Sequence, residues 1–300
     1  MNYTTPPGDS AYADSINGLI ENTTARLETT SDAPRLEAFR LLASVTGMTT
    51  THMIAHGDQA VDQASRSRLE TLLERRARGA PLAYLLGDAG FWRQTLTVNR
   101  HVLIPRPETE LLVETALARL AADQPLRIAD LGTGSGAIAI ALAHERPSWQ
   151  ITATDISSHA VETARHNASR NNASNIEFVI GDWFDAVAGQ QFNAVIANPP
   201  YVAPGDPHLT DPAVAAEPDQ ALIAADSGNA ALTQIIATAP NALAPGGLLM
   251  LEHAPWQAEG VGTALQRGGF TQVETKADLT DRKRATLAIA PADGFAADPS

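Results

Sequence analysis

Asn198-Pro199-Pro200-Tyr201 ends the apolar run Phe192 to Ala197 with an amide, two prolines and a phenol in succession. Proline cannot donate to a sheet ladder and holds φ at about −65°. The residue before each proline is biased towards extended geometry. A buried strand therefore gives way to a stiff segment, with the Asn198 amide and nearby carbonyls at the strand's carboxyl end. In open α/β sheets that edge is where ligands bind. An amide side chain, proline carbonyls and an aromatic ring suit a planar N–H2 group held for chemistry. An isolated Asn-Pro-Pro would read as a mere turn, but a glycine-rich loop upstream changes the reading.

That loop is DLGTGSG, residues 130–136, at the end of one expected strand and the start of a helix. Glycines at 132, 134 and 136 permit tight turns and close backbone approach to a ligand. Gly134-Ser135-Gly136 and Ala139 also fit the dinucleotide fingerprint, and nicotinamide and S-adenosylmethionine sites both want an acidic residue about 20 positions on. Asp155, ending ITATD, serves either, because its carboxylate can accept from two ribose hydroxyls. On the loop alone the two cofactors stand equal. Trp183, in Gly181-Asp182-Trp183, follows a third strand, where its ring can cover an adenine face or simply fill the core. The fourth strand delivers Asn198 to Tyr201, for which a dehydrogenase has no use and a methyltransferase acting on a planar nitrogen does.

These residues need a sheet to hold them. Strands are expected at 126–130, 150–154, 176–180, 192–197, 247–252, 270–275 and 285–290, with helices at 136–144, 158–171, 229–239 and 256–267. The alternation argues for a mostly parallel sheet with helices on both faces. Residues 210–227 read as an irregular loop covering the site. Upstream, apolar residues at helical spacing from 15 to 79, broken at Asp32-Ala33-Pro34, Gly47 and Gly57-Asp58, predict four or five short helices. One of these carries Arg66, Arg68, Arg75, Arg76 and Arg78, either a solvated face or a docking surface for an acidic macromolecule. Phe91 to Val98 and Val102 to Ile104 read as a hairpin turning at Asn99-Arg100. The expected domains are an N-terminal helical substrate-recognition domain at 1–85, a hairpin linker at 86–107 and a cofactor-binding domain at 108–291. Residues 1–10 are expected to be a loose leader and 292–300 a disordered tail.

The chain of 300 residues has no cysteine, which excludes disulfides and Cys-ligated metal sites. Its first residues lack the basic and apolar regions of a secretory signal, and no run approaches the length of a membrane span, so a cytoplasmic protein is expected. The net charge of −13 is uneven: residues 1–105 hold 10 basic and 11 acidic side chains, residues 106–300 hold 11 and 23. So acidic a second half repels a phosphate backbone and argues against a nucleic-acid substrate.

The loop DLGTGSG, Asp155, GDW and NPPY, in that order, resemble the class I S-adenosylmethionine-dependent methyltransferases. Upstream, residues 77–92 (ARGAPLAYLLGDAGFW) and 102–114 (VLIPRPETELLVE) are similar to the linker of the protein glutamine N5-methyltransferases that modify peptide-chain release factors. Residues 155–168, 205–209, 217–228 and 243–253 resemble that family as well. The resemblance implies a Rossmann-like sheet with a small N-terminal helical domain joined by a β-hairpin linker. It implies methylation of the Gly-Gly-Gln glutamine of class 1 release factors, with S-adenosylmethionine as cofactor and no metal. It also puts the cofactor site on Gly132, Thr133, Gly134, Ser135, Gly136, Asp155, Trp183 and Asn198, the substrate site on Asn198, Pro199, Pro200 and Tyr201, and catalysis on Asn198 and Pro199. Ala215-Ala216 stands where the family usually has Arg-Phe, and Arg282 and Arg284 stand where it has basic residues. Glutamine methylation of a ribosomal protein, and adenine N6-methylation of nucleic acid, are the alternative activities.

Overall fold

The computed structural model describes residues 12–295, so the expected leader at 1–10 lies outside the described residues. The chain forms two compact units. One comprises the described residues up to Gly87 together with Thr210–Ala216, the other Asp88–Leu209 and the described residues from Glu217 onward.

The first unit is helical: α1 (Ile16–Leu27), α2 (Pro34–Thr46), α3 (Thr50–Ala55), α4 (Gln63–Ala77) and α5 (Leu82–Leu86). Local signals set the ends. Ser15 caps α1 by accepting from Gly18 N–H, Asp62 caps α4 by accepting from Ser65 N–H, and Gly47 ends α2 in the left-handed region. Ile16, Ile20, Leu27, Leu41, Leu42, Met53 and Leu73 form the core. The arginines of α4 are largely committed within the unit. Arg76 forks onto Glu37 at 2.7 and 3.1 Å, Arg66 pairs with Asp14, and Arg68 donates to the Val45 carbonyl at 2.9 Å.

The second unit opens with a hairpin, β1 (Asp88–Phe91) and β2 (Gln94–Thr97). This corrects the expected pairing around Asn99-Arg100. The turn falls at Trp92-Arg93, with Trp92 in the left-handed region at φ 54°. Contacts distant in sequence hold it there: Trp92 N–H donates to Glu110 at 2.6 Å and its indole N–H to Glu145 at 2.8 Å. Asn99 instead accepts from His101 N–H at 2.9 Å, in the next turn.

After α6 (Glu110–Arg119), the sheet strands β3 (Arg127–Leu131), β4 (Gln150–Asp155), β5 (Ile176–Ile180), β6 (Phe192–Ala197) and β7 (Leu243–Glu252) run parallel. The strands β8 (Thr271–Ala277) and β9 (Lys283–Ile289) complete the sheet, in the order β5-β4-β3-β6-β7-β9-β8. Only β9 runs against the rest. The helices α7 (Ala137–Glu145), α8 (Ser158–Arg170), α9 (Ala230–Thr238) and α10 (Ala258–Arg267) cover the faces. Alternate strand residues feed opposite cores: Ile128, Ala194, Ile196 and Met250 meet α6 and α7, while Ala129, Val195, Leu249 and Leu251 meet α9 and α10. Both faces are buried, so the strands read as continuous apolar runs. In the expected disordered tail, Phe295 is described and packs edge-on to Phe270 at 4.9 Å; residues 296–300 lie outside the described residues.

Candidate active site

The strand order reverses at β3, whose neighbours are β4 on one side and β6 on the other. In such a sheet the crevice at the carboxyl ends of these strands is the ligand site. Three loops converge there, each beginning at the residue where a strand's hydrogen bonding stops.

The loop after β3 is held from two sides. Asp130 is fully buried, and Thr133 Oγ1 donates to its Oδ2 at 2.6 Å. Burial pushes the Asp130 carboxyl up to about 7, against the pull of Thr133 and the Ala139 N–H in the first turn of α7. Thr133 N–H donates to the Thr154 carbonyl at 2.8 Å, tying the loop to the end of β4. Gly136 takes φ 84° where α7 begins, and a Cβ there would come within 3.2 Å of Ala164 Cβ. Gly134, at φ 55°, faces open space, so its backbone is available to a ligand. A Cβ on Gly132 would reach within 3.2 Å of the Trp183 ring.

Asp155 ends β4 and accepts Gly134 N–H through Oδ2 and Ser157 N–H through Oδ1, both at 2.9 Å. Each oxygen keeps a lone pair for a ligand hydroxyl. Burial raises this carboxyl, opposed by the same two N–H groups. Asn198 follows β6, and its Nδ2 donates to Thr109 Oγ1 at 3.0 Å. Tyr201 turns its hydroxyl to Glu252 Oε1 at 3.3 Å, and its ring joins the core beneath α9.

One cavity of about 540 Å³ connects these loops, a size that suits a cofactor-sized ligand. All the residues expected at the cofactor site except Gly136 line it, and Pro200 lines it too. Gly136 shapes the loop from behind, and Pro199 and Tyr201 stand off the lining. The stretch expected to cover the site divides. Thr210–Ala216 belongs to the helical unit, where Gly79 packs against Pro212 and Ala215 and Ala216 share a shallow groove with Arg75 and Arg78. Pro218, Gln220, Ala221, Ile223 and Ala224 line the cavity. The anchor is Glu217, whose buried carboxylate accepts Ile104 N–H at 3.0 Å and pairs with Arg106. Arg284 forms an ion pair with Asp278 at 3.0 Å. Among the described residues no three His, Asp or Glu side chains are grouped to hold a metal ion.

Four residues were missed from the sequence. His101 and His159 line the cavity with their rings 4.6 Å apart. Thr109 and Glu252 are the partners of Asn198 and Tyr201. The one signal that could have found Glu252 is a lone acid ending an apolar strand, LLMLE.

Known proteins resemble this chain over most of its length. A family model described as "Methyltransferase small domain" matches residues 107–216, and one described as "PrmC N-terminal domain" matches residues 19–87. The release factor glutamine methyltransferase of Escherichia coli K12 is 48% identical over 86% of this chain and 92% of its own length. Those of Xylella fastidiosa Temecula1 and Coxiella burnetii are 42% and 40% identical, each over 91% of this chain and 97% and 98% of their own. With a glycine loop, an acid and an Asn-Pro-Pro-Tyr turn on three adjacent strand ends, the chain belongs to the release factor glutamine methyltransferase family.

Proposed function

We propose that the chain uses S-adenosylmethionine to methylate the side-chain amide nitrogen of the Gly-Gly-Gln glutamine in class 1 peptide-chain release factors, in the cytoplasm. The observation that carries the reading is the hydrogen bond from Asn198 Nδ2 to Thr109. With Nδ2 committed inward, Oδ1 is left as an acceptor beside the cavity, where a primary amide can donate to it.

The residues present fit the cofactor. Gly134 leaves room for close approach, and Asp155 has lone pairs to spare for a diol. Gly132, Thr133, Ser135 and Trp183 line the same space and would hold it with them. S-adenosylmethionine supplies a methyl group activated by a sulfonium. The protein's own task is set by the acceptor, because an amide nitrogen delocalises its lone pair into the carbonyl and is a poor nucleophile. Asn198 Oδ1 accepts one N–H of the glutamine amide and the Pro199 carbonyl accepts the other, which fixes the nitrogen in one orientation. Orientation of this kind can contribute roughly 7–11 kcal/mol. Pro200 stiffens the segment, so little freedom is lost when the glutamine arrives. The helical unit is assigned to recognising the release factor around its loop.

The test sets three acceptors side by side with methyl-labelled cofactor: a class 1 release factor, ribosomal protein and nucleic acid. Label on the release factor alone supports the reading. Label on either of the others, with the release factor unmarked, rejects it.

A further inference from the structure

Asn167 lies on α8 with its side chain fully buried, the one buried asparagine among the described residues. The helix face around it is otherwise small and largely apolar, with Ala160, Val161, Ala164 and Ala168. An amide in such a place costs stability unless its polar atoms are matched. Here both are. Oδ1 accepts Thr97 N–H at 2.7 Å, and Nδ2 donates to the Thr97 carbonyl and to the Ser135 carbonyl, both at 2.9 Å. The backbone leaves no choice of orientation, since an N–H can only donate and a carbonyl can only accept. The amide therefore pairs with Thr97 as the peptide of a neighbouring strand would, and gives its remaining proton to the glycine loop.

The two partners lead to different stretches of the cavity lining. Ser135 lies in the glycine loop beside Thr133 and Gly134, which line the cavity with it. Thr97 ends β2, and the chain running on from it supplies Val102, Leu103 and Pro105 to the lining. Other contacts also hold this segment on α8. Arg170 donates to Thr97 Oγ1 at 3.1 Å, Asn171 to the Thr95 carbonyl at 3.2 Å, and Asn99 to Thr163 Oγ1 at 3.2 Å. None of these three bonds reaches the glycine loop. The Asn167 amide does, so it sets the spacing between two stretches of the lining while touching the cavity with neither nitrogen nor oxygen.

We propose that Asn167 is a positioning residue for the cofactor site: its one amide bridges the hairpin and the glycine loop, so that binding in the cavity and order in the hairpin are linked. Such linkage is reciprocal, and a cofactor that steadies the loop steadies the hairpin by the same free energy. The proposal rests on the reading of the cavity as the S-adenosylmethionine site.

Hydrogen exchange of the full chain, followed by mass spectrometry with and without S-adenosylmethionine, tests the linkage in the wild type. Residues 94–97 do not line the cavity. Their amides should nonetheless be protected about fivefold or more at saturating cofactor. Two variants then separate the bridge from simple docking of the hairpin. Asn167→Leu keeps the volume and removes all three hydrogen bonds of the amide. Its cofactor Kd, measured by calorimetry, should rise roughly tenfold, and the protection at 94–97 should vanish. Asn171→Ala removes a tie to the hairpin that stops short of the loop. It should speed exchange in the hairpin yet leave Kd within about threefold of wild type. Wild-type exchange at 94–97 that ignores the cofactor overturns the proposal without any variant. So does an Asn167→Leu chain that unfolds cooperatively and binds at the wild-type Kd, or an Asn171→Ala chain that weakens binding as much as Asn167→Leu. A wild type that gives no heat of binding with S-adenosylmethionine rejects the cofactor reading and the proposal with it, whereas normal binding with an unresponsive hairpin rejects the proposal alone.

Discussion

The Asp155 carboxylate reaches from the end of β4 to the backbone of Gly134, accepting its N–H at 2.9 Å while its other oxygen accepts from Ser157. One side chain thereby fixes the glycine loop against the start of α8 and faces the cavity. Asp155→Ala removes two charge-assisted hydrogen bonds within the protein and the acceptor for a ligand diol. Each such bond is worth about 1.5–3 kcal/mol. Cofactor Kd measured by calorimetry should rise roughly 10- to 100-fold. An unaltered Kd would remove Asp155 from the cofactor site.

Two buried carboxyls make folding stability depend on pH. Asp130 and Glu252 titrate at about 7 in the folded chain, against ordinary values of 3.8 and 4.5. Between those limits the folded state binds more protons than the unfolded one, so stability falls as pH rises. The contribution is full below the ordinary values and is lost as pH passes through about 7. Asp130→Asn removes one ionisation and still accepts from Thr133. In urea unfolding, its advantage over wild type should grow by about 2 kcal/mol between roughly pH 5.5 and 8. A constant difference would contradict the assignment.

Turnover should depend on the same carboxyl at β7. Thr109, Tyr201, Arg284 and Glu108 all act on Glu252; Arg106 acts on Tyr201, and burial holds the adjacent His253 below its ordinary value. Burial dominates and lifts Glu252 to about 7. Once protonated, it is a weaker acceptor for the Tyr201 hydroxyl, which loosens the hold on the Tyr201 side chain. The kcat of wild type should therefore fall as pH drops through about 7. In Glu252→Gln that limb should disappear while cofactor affinity follows the wild-type profile. An acid limb identical in both proteins would mean that another group causes it.

The two units predict a division of labour. A truncation beginning at Asp88 retains every residue lining the cavity. It should bind cofactor with a Kd within about threefold of the full chain, yet raise KM for the release factor by at least tenfold, on the order of a lost docking surface. Steady-state kinetics on the intact release factor measure this. A KM equal to that of the full chain would take recognition away from the helical unit.

The residues legible in the sequence are those whose chemistry is local. Gly132, Gly134 and Gly136 all take positive φ, so a glycine at each reports a backbone need. Pro199 and Pro200 stop a strand whichever partner it has. Strand alternation carried the sheet, since each apolar run needed only to be buried on both faces. The hairpin turn at Trp92 was invisible because Glu110 and Glu145 set it, and they come from α6 and α7. Thr109 read only as part of a helix start, because its partner Asn198 lies 89 positions away. Ala215-Ala216 looked like part of a lid, and only the three-dimensional grouping assigns it to the helical unit.

Asn198 is the residue proposed to orient the acceptor amide. Asn198→Ala should be measured for cofactor Kd by calorimetry and, in the same preparation, for methyl transfer to the release-factor glutamine. One hydrogen bond is worth about 1 kcal/mol net, so Kd should stay within about tenfold. Turnover should fall below detection, because the amide loses the acceptor that holds it. Transfer at the wild-type rate with cofactor bound would contradict the positioning mechanism outright.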